Sequence, residues 1–193
     1  MSTGWGWWLR WQAHRGGKTP GMTVAIRPAQ AADGSVLREI ERRAGERFRD
    51  VGLPGVADDD PASLETLARF AAGGRSWVAV DRSDVPIGYV LVDVVDGCAH
   101  IEQVTVRPDH QGAGVGRALL QRVRAWAADS GLSAITLTTF TEVPWNAPLY
   151  RHLGFRDLGE HELGPQLREV RAREAAHGLD PAARVCMRSE LAR

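Results

Sequence analysis

Apolar positions along the chain alternate between short runs and helical stripes, and that alternation predicts the elements. Residues 23–27 read as a short strand stopped by Pro28. Val36, Leu37, Ile40 and Ala44 recur at helical spacing within residues 31–49. Asp60-Pro61, an acidic cap followed by proline in the first turn, opens a second helix that carries Leu64, Leu67 and Phe70 inward and stops at Gly73-Gly74. Residues 76–80, 87–95 and 99–106 read as strands, joined by turns short enough to imply antiparallel hairpins. Leu119, Leu120, Val123 and Trp126 mark the buried face of a helix over 115–130. Then come a strand (134–140), a short helix (146–153), the start of a strand (155–158), an amphipathic helix rich in Arg and Glu (164–177) and a closing strand (184–189).

This order describes an α/β (α+β) layer protein, with helices flanking a mixed, largely antiparallel sheet. The antiparallel run in the middle excludes a simple doubly wound parallel sheet. A chain of 193 residues holds one such domain. Residues 22–193 form it, after an N-terminal extension over 1–21.

Composition narrows the function. Lys+Arg and Asp+Glu each total 24. Without a basic surplus a general nucleic-acid binder is not expected. No apolar run reaches membrane-spanning length, and no signal-peptide core precedes the domain, so the expectation is a cytoplasmic protein without a membrane partner. Cys98 and Cys186 are too few for a disulfide framework and neither lies in a CxxC pair. His100 and Glu102 lack further ligands at suggestive spacing, so no metal is expected. Four of the seven tryptophans, Trp5, Trp7, Trp8 and Trp11, fall in the extension with Arg10, Arg15 and Lys18. That mixture suits a membrane interface. Because the domain starts at Met22, the sharper alternatives are that Met22 is the natural initiator or that the extension packs on a partner subunit.

The informative segment is the passage from strand to helix. Val104-Thr105-Val106 ends a strand, Arg107-Pro108 leaves it, and Gln111-Gly112-Ala113-Gly114-Val115-Gly116-Arg117 leads into a helix. Exposed N–H groups at such a helix start, backed by the helix dipole, form an anion site. Lysine is absent from the loop, which excludes a Walker A motif, and the third glycine of a dinucleotide fingerprint is missing. The spacing present, Gln111-x-x-Gly114-x-Gly116, together with Leu149-Tyr150-x-x-x-Gly154-Phe155 downstream, resembles the GNAT superfamily of acyl-CoA-dependent N-acetyltransferases. By element order the similarity covers residues 22–190, and its motifs lie within 99–157.

The resemblance implies a splayed sheet that takes acetyl-CoA as co-substrate. N–H groups of Gln111, Gly112, Ala113, Gly114, Val115, Gly116 and Arg117 would grip the pyrophosphate, with added charge from Arg117 or Arg107. Backbone groups of Val104, Thr105 and Val106 would pair with the pantetheine arm. Tyr150 would protonate or stabilise the departing thiolate, unless it is a core tyrosine. Glu102 would deprotonate the amine, directly or through a water, unless it is a solvated strand charge. His100 is the weaker alternative. Strict alternation puts His100, Glu102, Val104 and Val106 on one face.

One departure from the family pattern is Val143, where many relatives carry a cofactor-contacting asparagine seven residues before the tyrosine. Asn146 either caps the short helix or contacts the cofactor. Trp145 either lines the acceptor tunnel or packs.

Segments 49–60 and 158–183 would shape the acceptor site. Asp58, Asp59 and Asp60 either draw in a cationic amine or form a solvated run with one member as a helix cap. The helix near 164–177 covers the acceptor pocket or supports a homodimer. The acceptor would be a small-molecule or peptide amine. With no cysteine in the motif core, direct attack in a ternary complex is implied rather than an acyl-enzyme. The alternative is a non-catalytic acyl-CoA-binding sensor.

Overall fold

The computed structural model describes residues 24–191. The tryptophan-rich extension and the start at Met22 lie outside the described residues. In chain order the elements are β1 (Ala25–Pro28), α1 (Gly34–Gly45), α2 (Pro54–Ala57), α3 (Leu64–Ala72), β2 (Ser76–Val80), β3 (Pro86–Val95), β4 (Cys98–Val106), α4 (Val115–Asp129), β5 (Ala134–Phe140), α5 (Ala147–His152), β6 (Arg156–Asp157), α6 (Pro165–Ala176) and β7 (Arg184–Glu190). The seven strands make one sheet in the order β1-β2-β3-β4-β5-β7-β6. Only β4 and β5 run parallel, because the α4 crossover joins them; the other pairs are antiparallel.

Each face of the sheet is covered differently. On one face α4 buries Val115, Leu119, Leu120, Val123 and Ala127 over Ala79, Val90, Ile101, Ile135 and Leu137. On the other, Leu37 and Ile40 of α1 and Leu67 and Phe70 of α3 cover Val78, Val80, Tyr89 and Leu91. Farther along that second face, Leu167 and Val170 of α6 cover Val95 and Cys186. The Asp96-Gly97 turn between β3 and β4 fixes α6 as well: the Asp96 carboxylate accepts from the N–H groups of Gln166 (3.1 Å) and Leu167 (2.9 Å). An aspartate at a helix start satisfies donors that the helix leaves unpaired.

Several local expectations change. Ser63, not an aspartate, caps α3, accepting from Thr66 N–H at 3.1 Å. Its hydroxyl reaches the third residue of the helix, whereas Asp58, Asp59 and Asp60 remain exposed. Leu64 is 53% exposed and Val36 36%, so each lies at the edge of its helix stripe rather than in the core. The stretch read as one helix over 31–49 tightens into 3-10 turns at both ends, Ala31–Asp33 and Glu46–Val51.

The largest correction concerns β4. Leu91 pairs with Gln103 but Val92 pairs with Ile101, so Glu102 is an extra residue in a β-bulge. The bulge reverses the alternation. Ala99, Ile101, Val104 and Val106 all meet the α4 side. His100 and Gln103 turn to the opposite face, where His100 Nδ1 lies 3.0 Å from Thr136 Oγ1 and Gln103 donates to Glu41 of α1. His100 therefore does not share a face with Val104 and Val106.

Two outcomes follow from this packing. A Cβ on Gly88 would meet the Thr105 carbonyl oxygen at 2.9 Å and Val115 Cγ1 at 3.2 Å. Gly88→Ala is expected to destabilise the fold by about 1–3 kcal/mol, read as a melting point several degrees lower. An unchanged melting point would show that β3, β4 and α4 do not constrain one another here. The second outcome concerns His100, 1% exposed, whose pKa is pushed down to about 4 by burial against the pull of Glu174, Asp93 and Asp96, with Arg173 acting in the same direction as burial. Above the ordinary value of 6.5 the ring is neutral in both states and its burial costs no charge. As pH falls from there towards 4, only the unfolded chain takes up the proton, so stability drops by up to about 1.4 kcal/mol per pH unit. Urea unfolding at stepped pH should show this slope, and His100→Asn should remove it. A ring titration near the ordinary value, read by NMR on the folded wild type, would refute the assignment.

Candidate active site

β4 and β5 pair only from Ala99–Ile101 to Ile135–Leu137. Beyond that point β5 continues with β7 and β4 with β3, so a wedge opens between them. The Arg107 N–H donates to the Ile87 carbonyl at 2.9 Å. Main-chain groups in an antiparallel strand point sideways alternately, so Thr105 and Arg107 face β3 while Val104 and Val106 face the wedge. The Val106 carbonyl takes the Gln111 side-chain amide at 3.1 Å. Thr105 is buried, and its side chain turns to Tyr89 on the other face.

The loop after β4 begins with a 3-10 turn, Pro108–His110. Gly112 (φ 79°) and Gly114 (φ 84°) are left-handed, a region that a Cβ disfavours, and Gly114 is the N-cap of α4 without a capping side chain. The N–H groups of Gln111 and Ala113 are engaged inside the loop, with the Pro108 and His110 carbonyls. Those of Gly112, Gly114, Val115, Gly116 and Arg117 meet no acceptor among the described residues. These unpaired donors, at the start of a 15-residue helix, fit a pyrophosphate. Arg117 is exposed beside them. Arg107 is held instead by Asp109, through two bonds of 2.7 and 3.0 Å.

Glu102 stands in the bulge next to the wedge. It reaches solvent, yet protein surrounds it closely enough to raise its carboxyl pKa. Burial is the main cause; the nearby charges are Asp93 of β3, Arg69 of α3, and Arg173 and Glu174 of α6. These neighbours put Glu102 on the face between α3 and α6, where a carboxylate with raised pKa can accept a proton.

Tyr150 is half-buried on α5, edge-on to Phe155 with ring centroids 5.5 Å apart. Burial pushes its phenol up to about 12, so it keeps its proton at neutral pH. Its hydroxyl has no partner among the described residues. The spacing from Tyr150 to Phe155 reflects the end of α5, where the Phe155 N–H donates to the Tyr150 carbonyl at 3.0 Å.

Asn146 precedes α5 but its side chain makes no capping bond. Its backbone carries the turn instead, with its carbonyl accepting from the Tyr150 N–H. Trp145 packs against Phe48, with ring centroids 5.8 Å apart, and under the Arg47 guanidinium.

A polar cluster that periodicity did not single out also sits on the α1 side of the sheet. Glu41 of α1 accepts from Tyr89 Oη, Gln103 Nε2 (3.0 Å) and the Ala62 N–H (3.4 Å), and burial raises its pKa. A signal was present in the sequence: Glu41 interrupts the stripe formed by Leu37, Ile40 and Ala44. Among the described residues no group of three or more His, Cys, Asp or Glu side chains is placed to hold a metal.

The model of the acetyltransferase (GNAT) family matches residues 37–155, from α1 through Phe155. An IAA acetyltransferase from Azospirillum brasilense is 30% identical over 145 residues, covering 72% of this chain and 88% of that one. The peptidyl-lysine N-acetyltransferase YjaB of Escherichia coli is 26% identical over 143 residues, covering 74% and 88%. Among solved structures, the PaiA N-acetyltransferase of Thermoplasma acidophilum, in complex with coenzyme A, superposes with a TM-score of 0.62 at 13% identity, covering 88% of this chain and 99% of that one. Sequence and fold therefore agree over the wedge and its loop, and the chain belongs to the GNAT acetyltransferase family, whose acyl donor is acetyl-CoA.

Proposed function

We propose that the protein transfers an acetyl group from acetyl-CoA to a primary amine by direct attack in a ternary complex. The observation that carries this reading is the wedge: the main-chain groups of Val104 and the Val106 N–H face it and continue into the free N–H groups of the loop, with Glu102 in the bulge at the wedge's inner end. When bound, acetyl-CoA supplies an acyl group already activated as a thioester. The loop N–H groups hold the pyrophosphate and the β4 edge pairs with the pantetheine arm. A main-chain N–H there polarises the thioester carbonyl.

Glu102 takes a proton from the ammonium group, directly or through a water, because an alkylamine is largely protonated at neutral pH. The amine nitrogen then bonds to the carbonyl carbon, gives up its second proton to water, and the C–S bond breaks. Tyr150 gives its proton to the departing sulfur and recovers one from solvent. The acceptor is a small-molecule or peptide amine. The YjaB relative makes a peptide lysine the first acceptor to try, ahead of a panel of small amines.

The test is release of free thiol from acetyl-CoA across that panel; tight binding of acetyl-CoA without turnover on any amine would defeat the enzymatic reading. Wild-type kcat/KM should fall as pH drops through a value above the ordinary carboxylate range, since burial raises the Glu102 pKa. Glu102→Gln should cost about 10²-fold or more near neutrality and progressively less towards pH ~10, where the amine deprotonates unaided. A pH profile identical to wild type would remove Glu102 from the mechanism. Tyr150→Phe should lower kcat by about 10²-fold while leaving the KM for acetyl-CoA near wild type. Because its hydroxyl has no partner among the described residues, this change should leave the melting point unaltered; loss of stability in step with activity would point to a packing role.

A further inference from the structure

Arg47 lies in the 3-10 segment Glu46–Val51 after α1, apart from the residues assigned to the cofactor above. Its guanidinium carbon is 3.6 Å from the centroid of the Trp145 ring, and Nη1 donates to Gln111 Oε1 at 2.8 Å. Gln111 donates in turn to the wedge-facing carbonyl of Val106. A line of contacts thus crosses the mouth of the wedge, from the segment before α5, through Arg47 and Gln111, to the end of β4. Phe48 braces it against Phe140 and Trp145, with both ring pairs at 5.8 Å.

The charge state of Arg47 sets it apart from its neighbours. Arg42 and Arg43 pair with Glu39, Arg49 with Glu46 and Asp58, and Arg107 with Asp109. Arg47 has no carboxylate within ion-pair distance among the described residues; Asp50 acts on it only from farther away. It is also partly buried, and burial lowers its pKa. A partly desolvated cation without a counter-ion is costly, and a neutral amide and an indole ring do not neutralise it. The Trp145 Nε1–H beside it is buried without an acceptor. The Arg47–Trp145 pair is rich in donors, and among the described residues no carboxylate bonds to either side chain. A cavity of about 540 Å³ opens next to it, lined by Arg43, Arg47, Arg49, Pro108 and Gln111 and also by Glu46, which Arg49 holds, and Asp50.

We propose that Arg47 is a further cofactor-binding residue, whose guanidinium takes a phosphate oxygen of coenzyme A at the mouth of the wedge. The inference rests on the acetyl-CoA reading above. Gln111 uses one of the guanidinium's five N–H groups and leaves the rest for a phosphate, the anion a planar guanidinium binds through paired bonds. Bound phosphate would tie the segment after α1 to the loop before α4. The same chemistry would serve a carboxylate on the acceptor, and the experiment separates the two sources.

Dissociation constants are measured by calorimetry for acetyl-CoA, and by competition at millimolar concentration for acetyl-pantetheine, which carries no pyrophosphate. Wild type, Arg47→Gln and Arg47→Lys are compared. Arg47→Gln should weaken acetyl-CoA by at least about tenfold and leave acetyl-pantetheine within about twofold; a tenfold change is 1.4 kcal/mol. Arg47→Lys should fall between, because it keeps the charge and loses the fork. Unchanged acetyl-CoA affinity in Arg47→Gln overturns the inference. Equal weakening of both ligands also overturns it, since that would be a packing effect through Trp145. So does a rise confined to the KM of carboxylate-bearing acceptors, which would assign the anion to the acceptor. A wild-type protein that binds neither ligand overturns the acetyl-CoA reading itself, and this inference with it.

Discussion

β4 shares only three residues of pairing with β5, and the backbone beyond Ile101 must find partners elsewhere. Unpaired main-chain groups in a protein interior are costly, so a strand does not leave its neighbour without a reason. Here the cost is met in two ways. The Val106 carbonyl is taken by the Gln111 side chain, and the remaining groups of Val104 and Val106 stand at an opening that a ligand can reach. The bulge at Glu102 belongs to the same departure. By inserting one residue it bends the strand and changes which face the side chains after it meet, so that Gln103 joins His100 while Val104 and Val106 meet α4.

The surrounding elements keep the wedge open. α4 packs under both of its walls, and Gly88 allows β3 to lie close to Thr105 and Val115 at once. On the other face α1 and α3 cover one half of the sheet while α6 covers the other. Asp96 fixes the position of α6 from the β3–β4 turn. Between these coverings lie Glu102 and His100. One is raised by its surroundings and reaches solvent, and the other is held neutral by burial. The bulge brings two neighbouring titratable groups to opposite uses: His100 is packed against Thr136, and Glu102 is available.

Element order, the glycine loop and the tyrosine motif were legible because each is local. Glycine at a left-handed turn, a helix start and an apolar stripe leave their marks within a few residues. What escaped depends on contacts between distant segments. Strict alternation misplaced His100 because a bulge is set by cross-strand register, which a single strand does not encode. The cap of α3 went to Ser63 because the chain turns into the helix later than Asp60-Pro61 suggests. Arg47 meets Gln111 across 64 positions, and only the folded sheet brings them together. Asn146 shows the converse: a residue type suited to capping stands at the cap position, yet its backbone alone carries the turn.

The placement of charge bears on how a protein with no net charge would hold an anion and a cation at one wedge in the proposed reaction. Several arginines are already neutralised by local partners, as in Arg42 and Arg43 with Glu39, or Arg107 with Asp109. What remains uncompensated is therefore more telling than the total. At the outer end it is a set of donors, the loop N–H groups and Arg47. At the inner end it is, among the described residues, Glu102 alone: its neighbours Asp93 and Glu174 are already paired, with Arg75 and Arg184. The wedge joins the two ends, and Glu102 faces away from α4. In the proposed reaction that separation lets a polyanionic acyl donor and a protonated amine approach the same thioester from opposite sides, without the anion site competing for the amine.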